Sequence, residues 1–342
     1  MTSLRQVERF ESIEALHKGF QQSDVEPTQL KPGAISGTSM VARLGEAQLR
    51  ARSFRGAARV RGVLSSRAYC LGVLLDVEGK SSQWSFKTRS GDIGVFPIGA
   101  DHEARYDGST SFVLLEISKK ALVEQSAKLS LTLPETYWDN PLMHRPAGPL
   151  GQWIVRRFGS AMKEIAERSQ LLNNDNATRA LHDELLGLMF QGCASSVGRP
   201  IRRRQKFISS SRLVRDAENY LIEHQHKYVC ASDLCEHLRV SNRNLHRAFC
   251  DVLDVPPGAY MRRWRLSQVR RMLSSPEQVD QTVTDVALDF GFWELGRFAG
   301  HYRQLFGELP SQTLNRAASA SGGITMASAS TTLQPLAMVA RI

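Results

Sequence analysis

Arg243, His246 and Arg247 stand at i, i+3 and i+4, the spacing that gathers three side chains on one face of a helix. Leu245, Phe249 and Val252, at i, i+4 and i+7, mark the opposite, core-facing side. Two guanidinium groups and an imidazole on an exposed helix suit the donor and acceptor pattern of a DNA major groove. An arginine pairs bidentately with guanine, and each such contact is worth about 1–3 kcal/mol of discrimination. Ser241 can cap this helix. Ser232 can cap a shorter one before it, carrying Leu234 and Leu238, with a turn near Arg239-Val240. The pattern is a helix-turn-helix.

A second such pattern follows about fifty residues on. Thr282-Val-Thr-Asp285 fits a capping box, and Val286, Ala287 and Phe290 point inward. Gly291 permits the turn. Leu295, Phe298, Tyr302 and Leu305 then form an apolar stripe, leaving Gly296, Arg297, Ala299, Gly300, Arg303 and Gln304 outside. Between the two patterns, Pro256-Pro257-Gly258 starts a helix in which Tyr260, Trp264, Val269, Met272 and Leu273 alternate with Arg262, Arg263, Arg265, Arg270 and Arg271. These arginines are a solvated face or, beside a recognition helix, phosphate contacts. Phosphate contacts add affinity and salt dependence but little specificity. Ser241, Arg262, Arg263, Arg270, Arg297 and Arg303 are the expected phosphate contacts. Two such units on one rigid helix can enter major-groove segments roughly 34 Å apart on one DNA face.

Other chemistry is thinly represented. Gly91-x5-Pro97-x-Gly99-x2-His102 is half of a cupin motif, but residues 47–90 hold no histidine. One imidazole cannot hold a catalytic metal, so His102 is expected to satisfy a turn or line a cavity, with no metal, cofactor or catalytic residue. Tyr69, Trp84, Phe86, Phe96 and His102 either line a small-effector pocket or are ordinary core. The five cysteines, Cys70, Cys193, Cys230, Cys235 and Cys250, are odd in number and scattered, which reads as reduced thiols. With no signal-like or membrane-spanning apolar run, a cytoplasmic protein is expected. The net charge is +10, which favours a polyanionic partner. Residues 201–316 hold 18 of the 44 basic and 13 of the 34 acidic residues, a net +5, so the excess is not confined there. Only local clustering argues for a DNA face.

Residues 212–316 resemble the DNA-binding domain of the AraC/XylS family of bacterial transcription regulators. The resemblance is carried by Val240-Ser241 with Leu245, Arg247 and Phe249. It continues through Asp285-Val-Ala-Leu-Asp-Phe-Gly-Phe292, Arg297-Phe298, Tyr302-Arg303, Phe306-Gly307 and Pro310-Ser311. It implies that Arg243, His246 and Arg247, with Asn242 beside them, fall on base-reading positions of the first motif. Leu295, Gly296, Ala299 and Gly300 fall on those of the second, of which Leu295 and Ala299 have side chains to offer. Many members carry arginine where this chain has Gly300. Trp293-Glu-Leu-Gly-Arg-Phe298 is similar to the ethanolamine-operon and benzoate-type regulators.

The expected architecture is α+β. Residues 1–195 form a cupin-like β-barrel with flanking helices, for effector sensing and dimerisation. Within them a helix is expected over Val7–Phe20, strands over 47–117, and amphipathic helices over 149–172 and 176–191. The stripes of those two helices, Ile154 to Ile165 and Leu181 to Met189, are expected to pack on the β-domain, to form a homodimer seam, or both, since the two are compatible. Residues 196–211 are a basic linker, 212–316 an all-α domain with two helix-turn-helix motifs joined by a linker helix, and 317–342 a disordered tail. The expected function is sequence-specific transcription regulation, by an activator that responds to a small-molecule effector, with promoter DNA and RNA polymerase as partners. The alternatives are a non-specific architectural DNA binder and a metal-dependent cupin enzyme.

Overall fold

The computed structural model describes residues 5–18, 24–45, 47–84, 86–128, 135–167, 172–196, 205–225, 227–275 and 281–321. The chain opens with β1 (Arg5–Phe10), α1 (Ile13–Lys18), β2 (Asp24–Gln29) and β3 (Ser36–Leu44). Then come β4 (Ala47–Val63), β5 (Tyr69–Val77), β6 (Ser82–Gln83), β7 (Phe86–Lys87), β8 (Ile93–Phe96) and β9 (Asp101–Ile117). α2 (Lys119–Lys128), β10 (Leu142–His144), α3 (Gly148–Glu167) and α4 (Asp175–Ser195) complete this part. Val7 therefore begins no helix. It pairs with Met40 in an antiparallel edge strand, and the helix is confined to α1.

The strands form one antiparallel sheet in the order β1-β3-β4-β9-β5-β8-β10, with β2 added beside β4 and β6 beside β9. Its backbone is the β4–β9 ribbon, two strands of 17 residues each. Gly56 and Gly108 face each other in that ribbon, at φ 147° and 132°. Such backbone favours glycine, and a Cβ at Gly108 would lie 2.6 Å from the Glu78 carbonyl oxygen. The ribbon bends there, and the sheet folds over itself. Among the described residues no pairing of β1 with β10 closes it into a barrel.

Strand alternation then sorts the side chains. Leu49, Leu71, Val73, Ile93, Val95, Val113 and Leu115 face α3 and α4, where Ile154, Phe158, Met162, Leu185 and Met189 meet them. Both helical stripes contribute to this packing, with Leu181 partly buried at its edge. Phe54, Val60, Leu74, Phe96, Tyr106, Phe112 and Leu114 face the inside of the fold.

Seven helices follow: α5 (Gln205–Glu223), α6 (Ala231–His237), α7 (Asn242–Leu253), α8 (Pro257–Leu273), α9 (Val283–Asp289), α10 (Leu295–Phe306) and α11 (Pro310–Ser321). α5 starts inside the expected linker, whose Arg202, Arg203 and Arg204 lie outside the described residues. α11 runs five residues into the expected tail, and the remainder lies outside the described residues. α8 is shared between two cores. Tyr260, Met261 and Trp264 pack with α5, α6 and α7, and Leu266, Val269 and Leu273 pack with α9 and α10. One 17-residue helix thus fixes the two units relative to each other.

Candidate nucleic-acid interface

Ser241 caps α7, its hydroxyl accepting from the Asn244 amide at 3.3 Å. Ser232 caps nothing. α6 begins at Ala231, and Asp233 closes its first turn by accepting from the Cys230 amide at 2.8 Å. Leu245 and Phe249 are fully buried, which turns Asn242, Arg243, His246 and Arg247 outward, all exposed. Arg247 is oriented by Asn244, whose carbonyl oxygen accepts from Nη2 at 3.0 Å. The helix thus presents a donor-rich face whose charges carry no ion pair among the described residues.

In the second unit Thr282 and Asp285 make the reciprocal cap at 3.2 and 3.0 Å, and Gly291 turns the chain at φ 74°. Phe298, Tyr302 and Leu305 are buried, but Leu295 is not part of that stripe, being 38% exposed. Ala299, one turn on from Leu295, is half-buried, and Gly300 is exposed.

The arginines of α8 divide. Arg262 is exposed, as are Arg297 and Arg303 on α10. Arg270 corrects the phosphate expectation: it is 4% exposed, paired with Glu14 of α1 and, at 2.9 Å, with Glu308. Arg263 donates to the Leu30 carbonyl, and Arg271 pairs with Glu26. Arg265 lies 4.5 Å over the Tyr228 ring. In this arrangement Arg263, Arg270 and Arg271 are held by the N-terminal part, through Leu30, Glu14 and Glu26. Arg262→Ala is expected to weaken DNA binding almost equally for all sequences and to lower the slope of log affinity against log salt by about one. Titration of specific and random duplexes at several salt concentrations checks it, and a loss confined to the specific site would contradict it.

The sheet grips the helices through a buried ionic joint that sequence reading missed. Arg59 of β4 donates to both oxygens of Glu218 on α5, at 3.0 and 2.9 Å, and to Glu103 of β9 at 3.2 Å. The Tyr260 hydroxyl of α8 donates to Glu218 at 2.6 Å, and Arg215 pairs with Glu103 at 2.6 Å. Burial pushes the Glu218 carboxyl up, but Arg59, Arg61 and Tyr260 outweigh it and hold the carboxyl below its usual range. A signal was present: Glu218 follows Val214 and Ala217 and precedes Leu221, so it sits on the buried side of its helix.

Of the five suggested effector residues, Phe96 and His102 line a narrow, mostly apolar cavity inside the folded sheet, with Leu16, Phe54, Gln83 and Tyr106. Trp84 stacks behind them, 4.7 Å from Phe96 and 6.1 Å from His102 between ring centres. Phe86 lies on β7 outside the lining. Tyr69 is on the other face of the sheet, its hydroxyl 3.0 Å from Asp139, because it shares the parity of Leu71 and Val73. His102 is 3% exposed, and its Nδ1 has no hydrogen-bond partner among the described residues. Burial, with Arg59 nearby, lowers its pKa to about 3, so the ring is neutral. No group of three His, Cys, Asp or Glu that could hold a metal occurs among the described residues. No helix there is long and apolar enough to cross a membrane.

Two helix-turn-helix units fixed on one helix, each turning a helix outward, define a reader of duplex DNA. A family model described as a helix-turn-helix domain matches residues 234–316. The chain is 36% identical over 112 residues to the "XylDLEGF operon transcriptional activator 2" of Pseudomonas putida, covering 33% of this chain and 71% of that protein. It is 43% identical over 83 residues to "XylDLEGF operon transcriptional activator 3" of the same species, covering 24% of this chain and 25% of that one. A solved structure of "a probable AraC family transcriptional regulator" from Rhodopseudomonas palustris is 36% identical, with 31% of this chain and 97% of that one covered, at a TM-score of 0.29. The chain belongs to the AraC/XylS family of transcription regulators, proteins that bind DNA through this domain.

Proposed function

We propose that this regulator activates transcription at promoters carrying two half-sites, in response to a small molecule bound inside the folded sheet. The observation that carries the DNA side is the exposed Arg243, His246 and Arg247 face of α7, set by α8 at a fixed distance from α10. Arg243 and Arg247 are the base readers, Asn242 and His246 assist, and Arg262, Arg297 and Arg303 contact phosphates. Similarity to activators of the XylDLEGF operon supports activation over repression. Contact with RNA polymerase, homodimer assembly and a cytoplasmic location belong to the same proposal and rest on family membership.

The N-terminal part is the cupin-like effector domain in this reading, and 212–316 is the DNA-binding domain. The cavity beside His102 is the effector site. Glu103, the next residue, holds Arg59 and Arg215 in the joint to α5, so a ligand that moves this stretch of β9 bears on the reader. An effector acts only by binding two states of the protein unequally.

The test is selection of genomic fragments by the purified full-length protein at physiological salt. A recurrent motif with two half-sites is expected, and its neighbouring genes would name the inducer class. Enrichment without a shared motif would favour a non-specific binder instead.

A further inference from the structure

We infer that the second unit reads DNA through apolar contacts, with Leu295 and Trp293 packing on the 5-methyl groups of thymines in the half-site under α10. The inference deepens the sequence-specific reading and rests on it.

Trp293, 66% exposed, is the most exposed large apolar side chain among the described residues. It sits just before α10 and rests against Tyr228, itself 51% exposed, with ring centres 5.2 Å apart. Arg265 backs Tyr228. Tyr228 precedes α6 of the first unit and Trp293 precedes α10 of the second, so the pair bridges both units. Leu295 opens α10 one turn ahead of buried Phe298 and is 38% exposed. Large apolar groups kept in water at the start of a groove-entering helix have no use inside the fold.

The polar groups nearby do not supply the missing readout. Glu294 and Arg297 pair with each other at 2.9 Å. Gly296, Ala299 and Gly300 offer no donor or acceptor from a side chain. A Cβ at Gly296 or Gly300 would meet nothing within 4 Å, and neither glycine has a positive φ. The fold therefore does not ask for glycine there, although glycine weakens a helix interior. What glycine does permit is close approach of the α10 backbone to an outside surface. The surroundings fit one occupant: the face is continuous with a DNA-binding helix and is flanked by exposed Arg262, Arg297 and Arg303. In the major groove, the apolar feature that distinguishes one base is the thymine methyl.

The experiment compares the full-length protein with Leu295→Ala and Arg247→Ala in selection from random duplexes. One half-site should relax in Arg247→Ala, and fixed thymines in the other should relax in Leu295→Ala. Deoxyuridine is then placed at those thymines, removing only the methyl. Each replacement should weaken the parent protein about threefold to fourfold, as for one buried methyl group. Leu295→Ala should be indifferent to the methyl it no longer touches. Gly300→Ala should raise the thermal midpoint yet weaken binding to the same half-site. A second half-site without fixed thymines, or one where uracil binds as well as thymine, overturns the inference and leaves the regulator intact. Absence of any motif with the parent protein would instead overturn the sequence-specific reading beneath it.

Discussion

Glu218→Gln is expected to destabilise the protein by about 3 kcal/mol, because it leaves a buried guanidinium short of charge. Arg59 is 4% exposed and Glu218 2%, so water cannot replace the lost carboxylate. Glu103 remains beside Arg59, which keeps the effect at the lower end for a broken buried pair. Tyr260 also loses its charged acceptor. For a chain of 342 residues the loss corresponds to a fall of roughly 4 °C in the thermal midpoint. Replacing both Arg59 and Glu218 by Met should recover much of it, since apolar replacement removes the desolvation cost of both ions. Calorimetry on the three proteins decides. If Glu218→Gln melts within a degree of the parent, the joint is not a stabilising element.

Arg247→Ala should cut affinity for the selected site by about 5- to 150-fold, the loss of one bidentate base contact. The side chain is exposed, and Asn244, its hydrogen-bond partner, lies on the same helix. The thermal midpoint should therefore stay close to the parent value. Binding to random DNA should change much less than binding to the site, unlike the uniform loss expected for Arg262→Ala. Normal binding of the site by Arg247→Ala would show that α7 does not read bases through this residue.

What the sequence made legible is local. The caps at Ser241 and Thr282, the turn at Gly291 and the inward faces of α7, α8 and α10 follow from interactions within four residues. Contacts between distant segments were not legible. Arg270 reads as a phosphate contact until Glu14, 256 residues away, is seen beside it. Arg263 and Arg271 are likewise claimed by Leu30 and Glu26. Tyr69 lies in ordinary core on the sheet face away from the cavity, a distinction that a strand's parity alone does not make. β1 was read as helix because its partner, β3, lies some thirty residues on. Leu295 matched the helical period yet stands in solvent, as apolar side chains used outside the fold do.

The far end of α7 is moored. Its C-cap, Asp254, takes a left-handed turn at φ 58°, and its carboxylate is held by Lys80 of the β5–β6 connection at 3.3 Å and by Arg105 of β9 at 3.6 Å. A carboxylate at a helix C-terminus is otherwise unfavourable. The helix is therefore tied to the N-terminal part at the end away from its reading face, while Leu245 and Phe249 seat it in the core of the first unit. Twelve residues span about 18 Å, so a 10° swing carries the tip roughly 3 Å. That is close to the rise of about 3.4 Å between base pairs. A swing of that size would shift the arginines by one letter of the operator, and the buried Leu245 and Phe249 resist it.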